Sequence, residues 1–250
     1  MFKPWMIGAL LALCGAMAFA ETHSPTAIKA FNAGVEFANN GDYQNALGHF
    51  DDAIAADSDF AEAYYVRAVC RYSLKMTEGA QSDLNEAIRR KPDLYDAYAL
   101  RGTLAYETEQ YDQAYDDVTI VLQHKPDDAQ AMLVRAVIEL KREDVPSAKR
   151  DFKAFVKLRP DDPMTPKVRE LLGQMEHVAT AEADTEASAP KQKSSAAAPA
   201  RHASRPSNAA PTPTLSARAL AEKFGHQLLQ GDRGPITGDI NQRAAVQAPQ

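Results

Sequence analysis

An all-α solenoid of stacked helical hairpins is the fold this sequence predicts, and three observations predict it. Residues 95–128 repeat the plan of 61–94 almost position for position, a fixed period of 34 residues. Each copy holds two segments with helical apolar spacing. Each closes on Lys-Pro-Asp, at Lys91-Pro92-Asp93 and Lys125-Pro126-Asp127, where proline cannot continue a helix. One helical hairpin cannot bury its own apolar face, so such units stack.

The chain opens on what reads as a secretory signal over 1–20. Lys3 supplies the positive start, Trp5 to Ala16 the apolar run, and Ala18-Phe19-Ala20 a small-x-small cleavage site. The run falls short of the roughly 20 apolar residues a spanning helix needs, so cleavage after Ala20 is expected in preference to a retained anchor. A lipid-attachment reading at Cys14 is weak, because Leu13 stands where such signals carry Gly or Ala. The expected location is periplasmic or secreted, with no transmembrane span after cleavage. Of the two cysteines only Cys70 then remains, which rules out an intramolecular disulfide.

A polar lead, 21–26, carries Pro25, and the first repeat follows. Its helices are AIKAFNAGVEFANN and YQNALGHFDDAIAAD, joined by Asn40-Gly41-Asp42. Gly41 suits a left-handed residue after a helix end, and Asp42 can cap the next helix. Four copies align on Ala27, Ala61, Tyr95 and Ala129, giving repeats 27–60, 61–94, 95–128 and 129–162. Small residues hold the eighth column (Gly34, Ala68, Gly102, Ala136) and the twentieth (Ala46, Ala80, Ala114, Ala148), letting the helices of a hairpin approach closely. Phe50, Leu84, Val118 and Phe152 hold the twenty-fourth; Ser58, Pro92, Pro126 and Pro160 the thirty-second.

In these columns the chain resembles the tetratricopeptide repeat (TPR) family over about 136 residues. The resemblance implies a right-handed superhelical solenoid with its concave face lined by the first helix of each repeat. Departures are visible too. The fourth column, usually aromatic in the family, reads Ala30, Tyr64, Tyr98, Met132, and the seventh, usually Leu, reads Ala33, Arg67, Arg101, Arg135. Repeats two and four lack the Gly-Asp turn, carrying Lys75-Met76-Thr77 and Asp144-Val145-Pro146.

Beyond the repeats, Val168, Leu171, Leu172 and Met175 share one side of a predicted capping helix over 163–178. The Ala/Pro/Ser-rich stretch 179–214 cannot bury enough to offset its ordering entropy and reads as a disordered linker. Helical pattern returns over 215–230, with Leu220, Phe224 and Leu228 spaced by four, Thr214 or Ser216 as cap and Gly231 as stop. Disorder is expected again over 231–250. A 36-residue linker spans roughly 5.5 Å × √36, about 33 Å, so this amphipathic helix can reach the groove of its own array.

Formal net charge is −6. Residues 179–250 hold 8 Lys+Arg and 6 Asp+Glu, which leaves 20 of the 28 basic and 28 of the 34 acidic residues in 1–178. An acidic array and a mildly basic tail argue against nucleic acid as the array's partner. The six histidines are scattered without ligand spacing, so no metal site and no cofactor is expected. No nucleophile elbow, phosphate loop or paired-carboxylate motif occurs, and catalysis is not expected. Cys70, at a helix-interior column, reads as a buried inert thiol.

Two sets of residues remain. Arg67 and Asp83, Arg101 and Asp117, and Arg135 and Asp151 each stand sixteen apart in successive repeats, which predicts a structural ladder of ion pairs. The family's concave positions, carried over, imply a groove of Phe31, Val35, Tyr65, Val69, Tyr72, Thr103, Tyr106, Leu133 and Val137. Such an apolar, aromatic surface suits a hydrophobic or amphipathic peptide segment. The Lys, Arg and Asn that grip a C-terminal carboxylate in some family members are absent. The expectation is a scaffold for a protein or peptide partner, serving assembly of bacterial envelope machinery. The alternative is an accessory protein whose basic linker (Lys191, Lys193, Arg201, Arg205) and terminal helix contact an anionic cell-wall polymer or lipid.

Overall fold

The computed structural model describes residues 23–187 and 216–229. The expected signal, the linker from residue 188 with its four basic residues, and 231–250 lie outside the described residues. All regular structure within them is α-helical, and two compact units divide them at Arg90.

The first unit holds α1 (Pro25–Asn39), α2 (Tyr43–Ala56), α3 (Ala61–Ser73) and α4 (Thr77–Arg90). Helix α1 packs on α2, α3 on α4, and α2 joins the two hairpins through α3. The second unit repeats this plan with α5 (Tyr95–Glu107), α6 (Tyr111–His124), α7 (Ala129–Lys141) and α8 (Val145–Leu158), then adds α9 (Thr165–Ala187) and α10 (Ala217–Leu229). Helix α9 covers α8, burying Val168, Leu171 and Met175.

Local sequence explains where these helices begin. Ser24 Oγ accepts from the Ala27 N–H at 3.1 Å, and Pro25 occupies the first turn. Asp42, Asp128 and Asp144 cap α2, α7 and α8 through the N–H groups of Asn45, Ala131 and Ser147, at 3.3, 2.8 and 3.2 Å. Ser216, one of the two candidates, caps α10 through Ala219 N–H at 3.2 Å.

The first helix of every repeat ends in the same way, although only one sequence advertises it. Gly41, Lys75, Glu109 and Glu143, all at the fifteenth column, have φ of 77°, 61°, 62° and 62°. The next residue's N–H then reaches back five residues, as from Met76 to Arg71 O at 2.8 Å and from Gln110 to Ala105 O at 2.7 Å. These bonds satisfy the orphan carbonyls of the helix end and hold a left-handed residue even where it is not glycine. Second helices α6 and α8 stop because Lys125 and Arg159 precede proline and are forced towards extended geometry, with φ near −127° and −126°.

In the first and third hairpins the eighth column faces the twenty-fourth. A Cβ on Gly34 would lie 2.7 Å from Phe50 Cε1, and one on Gly102 would lie 2.9 Å from Val118 Cγ1. Those two glycines let a large side chain from the second helix lie against the first helix's backbone.

One boundary differs from expectation. Helix α9 runs to Ala187 and so takes in the start of the stretch read as linker. Residues 179–187, Ala-Thr-Ala-Glu-Ala-Asp-Thr-Glu-Ala, are dominated by strong helix formers, and the first proline comes only at Pro190. A segment poor in large apolar residues cannot form a core of its own, yet a helix that is already nucleated and packed can continue through it.

Candidate functional site

The three arginine–aspartate pairs form as the sixteen-residue spacing requires. Arg67 meets Asp83 through Nε at 2.9 Å and Nη2 at 2.6 Å; Arg101 meets Asp117 at 2.8 and 2.7 Å; Arg135 meets Asp151 at 2.6 and 3.0 Å. All are bidentate, and the carboxylates are almost wholly buried. Each binds the first helix of a hairpin to the second. Burial is the largest single influence on the Arg67 pKa and lowers it, but the hydrogen bonds and charges of Asp83 and of Asp51, 2.6 Å from Nη1, together outweigh burial and the value rises; at Arg101 and Arg135 the aspartate bond is the largest cause. The arginines also lie over the fourth-column tyrosines one turn away, Arg67 at 5.4 Å from Tyr64 and Arg101 at 5.4 Å from Tyr98. The seventh-column arginines, which depart from the family pattern, and the fourth-column tyrosines of repeats two and three therefore belong to one structural device.

Repeat two adds a second cation, with Arg71 Nη1 on Asp83 at 2.8 Å. Repeat four places a carboxylate at that same column. Glu139 is buried, stands 3.9 Å from Arg135 Nε, and leaves Oε2 without a hydrogen-bond partner. Burial, together with the neighbouring Asp151, pushes its pKa up from an ordinary 4.5 to about 7.

In the first unit the expected groove residues divide. Phe31 turns into the core, its ring 4.8 Å from that of Phe60 and 5.8 Å from that of Phe50. Val35, Val69 and Tyr72 are buried, and Tyr65 is half-buried. The Lys75 ammonium lies 5.7 Å over the Tyr72 ring.

In the second unit the groove is occupied. Tyr106 from α5 and Leu133 and Val137 from α7 join one apolar cluster with Leu220, Phe224 and Leu228 of α10. Helix α10 packs on α7 and on α9. Arg218 lies near Lys141 and Arg142, whereas Leu228 and Leu229 lie near Ala129 and Leu133. Helix α10 therefore runs antiparallel to α7. Its outer face carries Arg218, Glu222 and Lys223, with Arg218 Nε 3.6 Å from Glu222. Thr103 on α5 is buried. The Tyr106 phenol is raised well above its usual range by burial and by the adjacent Tyr111, whose ring centroid is 5.5 Å away. It stays neutral at any physiological pH.

The residue that sequence reasoning missed at this site is Gly225. A Cβ there would stand 2.6 Å from Tyr106 Oη and 3.0 Å from Val137 Cγ1. The signal was present in the sequence: a glycine inside a helix, one turn from Ala221, beside the Leu220/Phe224/Leu228 stripe. Cys70 is fully buried, and burial raises its thiol pKa to about 12. Among the described residues no group of three His, Cys, Asp or Glu side chains is placed to hold a metal. None of their helices is long and apolar enough to cross a membrane.

Comparison with known proteins agrees with this architecture. No curated protein sequence matches the chain. Among solved structures, YrrB, described as a TPR protein with an unusual peptide-binding site, superposes with a TM-score of 0.51 at 22% identity, over 54% of this chain and 69% of YrrB. MamA from Desulfovibrio magneticus RS-1, from residue 41 on, gives 0.57 at 19% identity over 66% and 92%. A tetratricopeptide repeat protein from Parabacteroides merdae ATCC 43184 gives 0.53 at 24% over 73% and 72%. At these identities the likeness is one of fold. The family model for the tetratricopeptide repeat matches twice, over residues 31–95 and 99–163, together 130 of the 250 residues. With four in-phase hairpins, their small-residue columns and these two matches, the chain belongs to the tetratricopeptide repeat family.

Proposed function

We propose that this protein is a protein–protein interaction scaffold that takes an amphipathic helical segment of a partner in the groove lined by α5 and α7. One observation carries the reading: that groove already receives an amphipathic helix, α10, which buries Leu220, Phe224 and Leu228 there while its charged face stays in solvent. A surface that accommodates one such helix offers shape and apolar area to another of the same pattern. The likeness in fold to YrrB, a TPR protein with a peptide-binding site, supports the same reading.

The finer setting rests on sequence alone. The signal-like start supports export with cleavage after Ala20, and assembly of bacterial envelope machinery in the periplasm is the process we assign to it. The reading in which the tail acts on cell wall or membrane is less favoured, because the apolar stripe such a helix would need is packed against α7. A photo-crosslinking residue at Thr103 or Leu133 in the exported protein tests the proposal. Crosslinks to peptide segments with apolar residues at helical spacing are expected. Crosslinks confined to lipid or polysaccharide would overturn it.

A further inference from the structure

We infer that Tyr106 and Val137 form a close-approach seat that selects helices carrying glycine one residue after their central aromatic anchor, and that α10 holds this seat until a partner helix displaces it. The inference rests on the peptide-groove reading above and adds to it a recognition pattern: Leu-Ala-x-x-Phe-Gly-x-x-Leu-Leu, as in residues 220–229.

Glycine in a helix interior is normally unfavourable, since alanine orders more readily there. At Gly225 the surroundings supply the reason. An added Cβ would meet Tyr106 Oη at 2.6 Å and Val137 Cγ1 at 3.0 Å, nearer than carbon atoms pack. Neither neighbour yields easily. Val137 is 1% exposed and β-branched on a helix, so its rotamer is fixed. Tyr106 is 5% exposed, and its ring is flanked by Tyr111, over which the Lys141 ammonium lies at 4.8 Å. Ala221, one turn earlier, is fully buried and keeps the approach close along the same line. The helix backbone thus comes down onto α5 and α7 between two apolar anchors, Leu220/Phe224 on one side and Leu228/Leu229 on the other.

Exchange is built into the arrangement. Helix α10 is 13 residues long and marginal as an isolated helix, so its order depends on the docking. Residues 188–216 separate it from α9 and tether it, which gives it the advantage of a local concentration on the order of millimolar. A partner helix therefore competes against α10 by mass action, and the glycine seat determines which helices can compete.

The test uses the full chain and a fluorescent synthetic peptide of residues 216–230, made with glycine or with leucine at 225. Two chain variants vacate the seat by different routes, Phe224→Glu by removing the anchor and Gly225→Leu by obstructing the approach. The glycine peptide should bind both variants at least tenfold more tightly than it binds the unmodified chain, and the leucine peptide should bind both at least tenfold more weakly than the glycine peptide does. Leucine favours helix more than glycine, so weaker binding cannot come from propensity. Equal binding of the two peptides to the variants would overturn the glycine seat while leaving the peptide groove standing. Absence of binding by either peptide to variants that keep their helical circular dichroism would overturn the groove reading itself. If Phe224→Glu does not fold, Gly225→Leu alone decides: exclusion of the glycine peptide, as by the unmodified chain, refutes the inference.

Discussion

Glu139 gives this protein a stability that depends on pH in a window where most proteins are insensitive. Its carboxyl is buried beside Asp151, its one close cation, Arg135, is already held bidentately by that aspartate, and Arg150 and Asp144 are the other charged groups bearing on it. The folded chain holds the Glu139 proton up to about pH 7, whereas an ordinary glutamate releases it near 4.5. Between these values the folded state carries more protons than the unfolded one, so stability falls as pH rises. Below the window there is no penalty, and above it the penalty is complete. At about 1.4 kcal/mol per pH unit of difference, the full effect approaches ~3 kcal/mol, a ceiling that relaxation of the site reduces. Urea unfolding at pH 5, 6, 7 and 8, read at α7, should show the loss in the unmodified chain and its absence in Glu139→Gln, which mimics the protonated form. Parallel pH profiles for the two proteins would refute the reasoning.

Three further outcomes follow from the geometry. Lys75→Gly, Glu109→Gly and Glu143→Gly each place glycine at a left-handed residue and should raise the free energy of unfolding in urea by up to about 1 kcal/mol apiece, whereas Gly41→Ala should lower it by a similar amount. Removing one partner of a buried ladder rung, as in Asp117→Ala, leaves the Arg101 guanidinium half-buried without its carboxylate and should cost about 3 kcal/mol in chemical denaturation; Asp112→Ala, whose partner Arg142 lies at the surface, should cost less than about 1 kcal/mol. Cys70, fully buried with its thiol pKa near 12, should resist a thiol reagent at pH 8 and react at once in denaturant.

What the sequence revealed, and what it concealed, follows from how far each feature repeats. The ladder was legible because Arg and Asp recur sixteen residues apart at the same two columns in three repeats. The close hairpin packing was legible from Gly34 and Gly102 in one column. The left-handed turns were legible only at Gly41; at Lys75, Glu109 and Glu143 the backbone bonds of the helix end impose the conformation without a glycine to mark it. The contact of Phe31 with Phe60 was not legible from the repeat, because the other repeats lack an aromatic at the column of Phe60. The docking of α10 was foreshadowed by the spacing of Leu220, Phe224 and Leu228 and by linker reach. Its fit at Gly225 depends on Tyr106 and Val137, more than eighty residues away, and no local pattern reports such a contact.

The central claim is that α10 fills the α5–α7 groove by docking, and hydrogen exchange along residues 217–229 measures it most directly. A 13-residue helix free in water is marginal and exchanges nearly as fast as an unfolded chain. In the full chain the amides of 221–229 should exchange at least a hundredfold more slowly than that, and Phe224→Glu should abolish the protection while leaving α1 to α4 unchanged. Fast exchange of 221–229 in the unmodified chain, or protection that survives Phe224→Glu, would contradict the account.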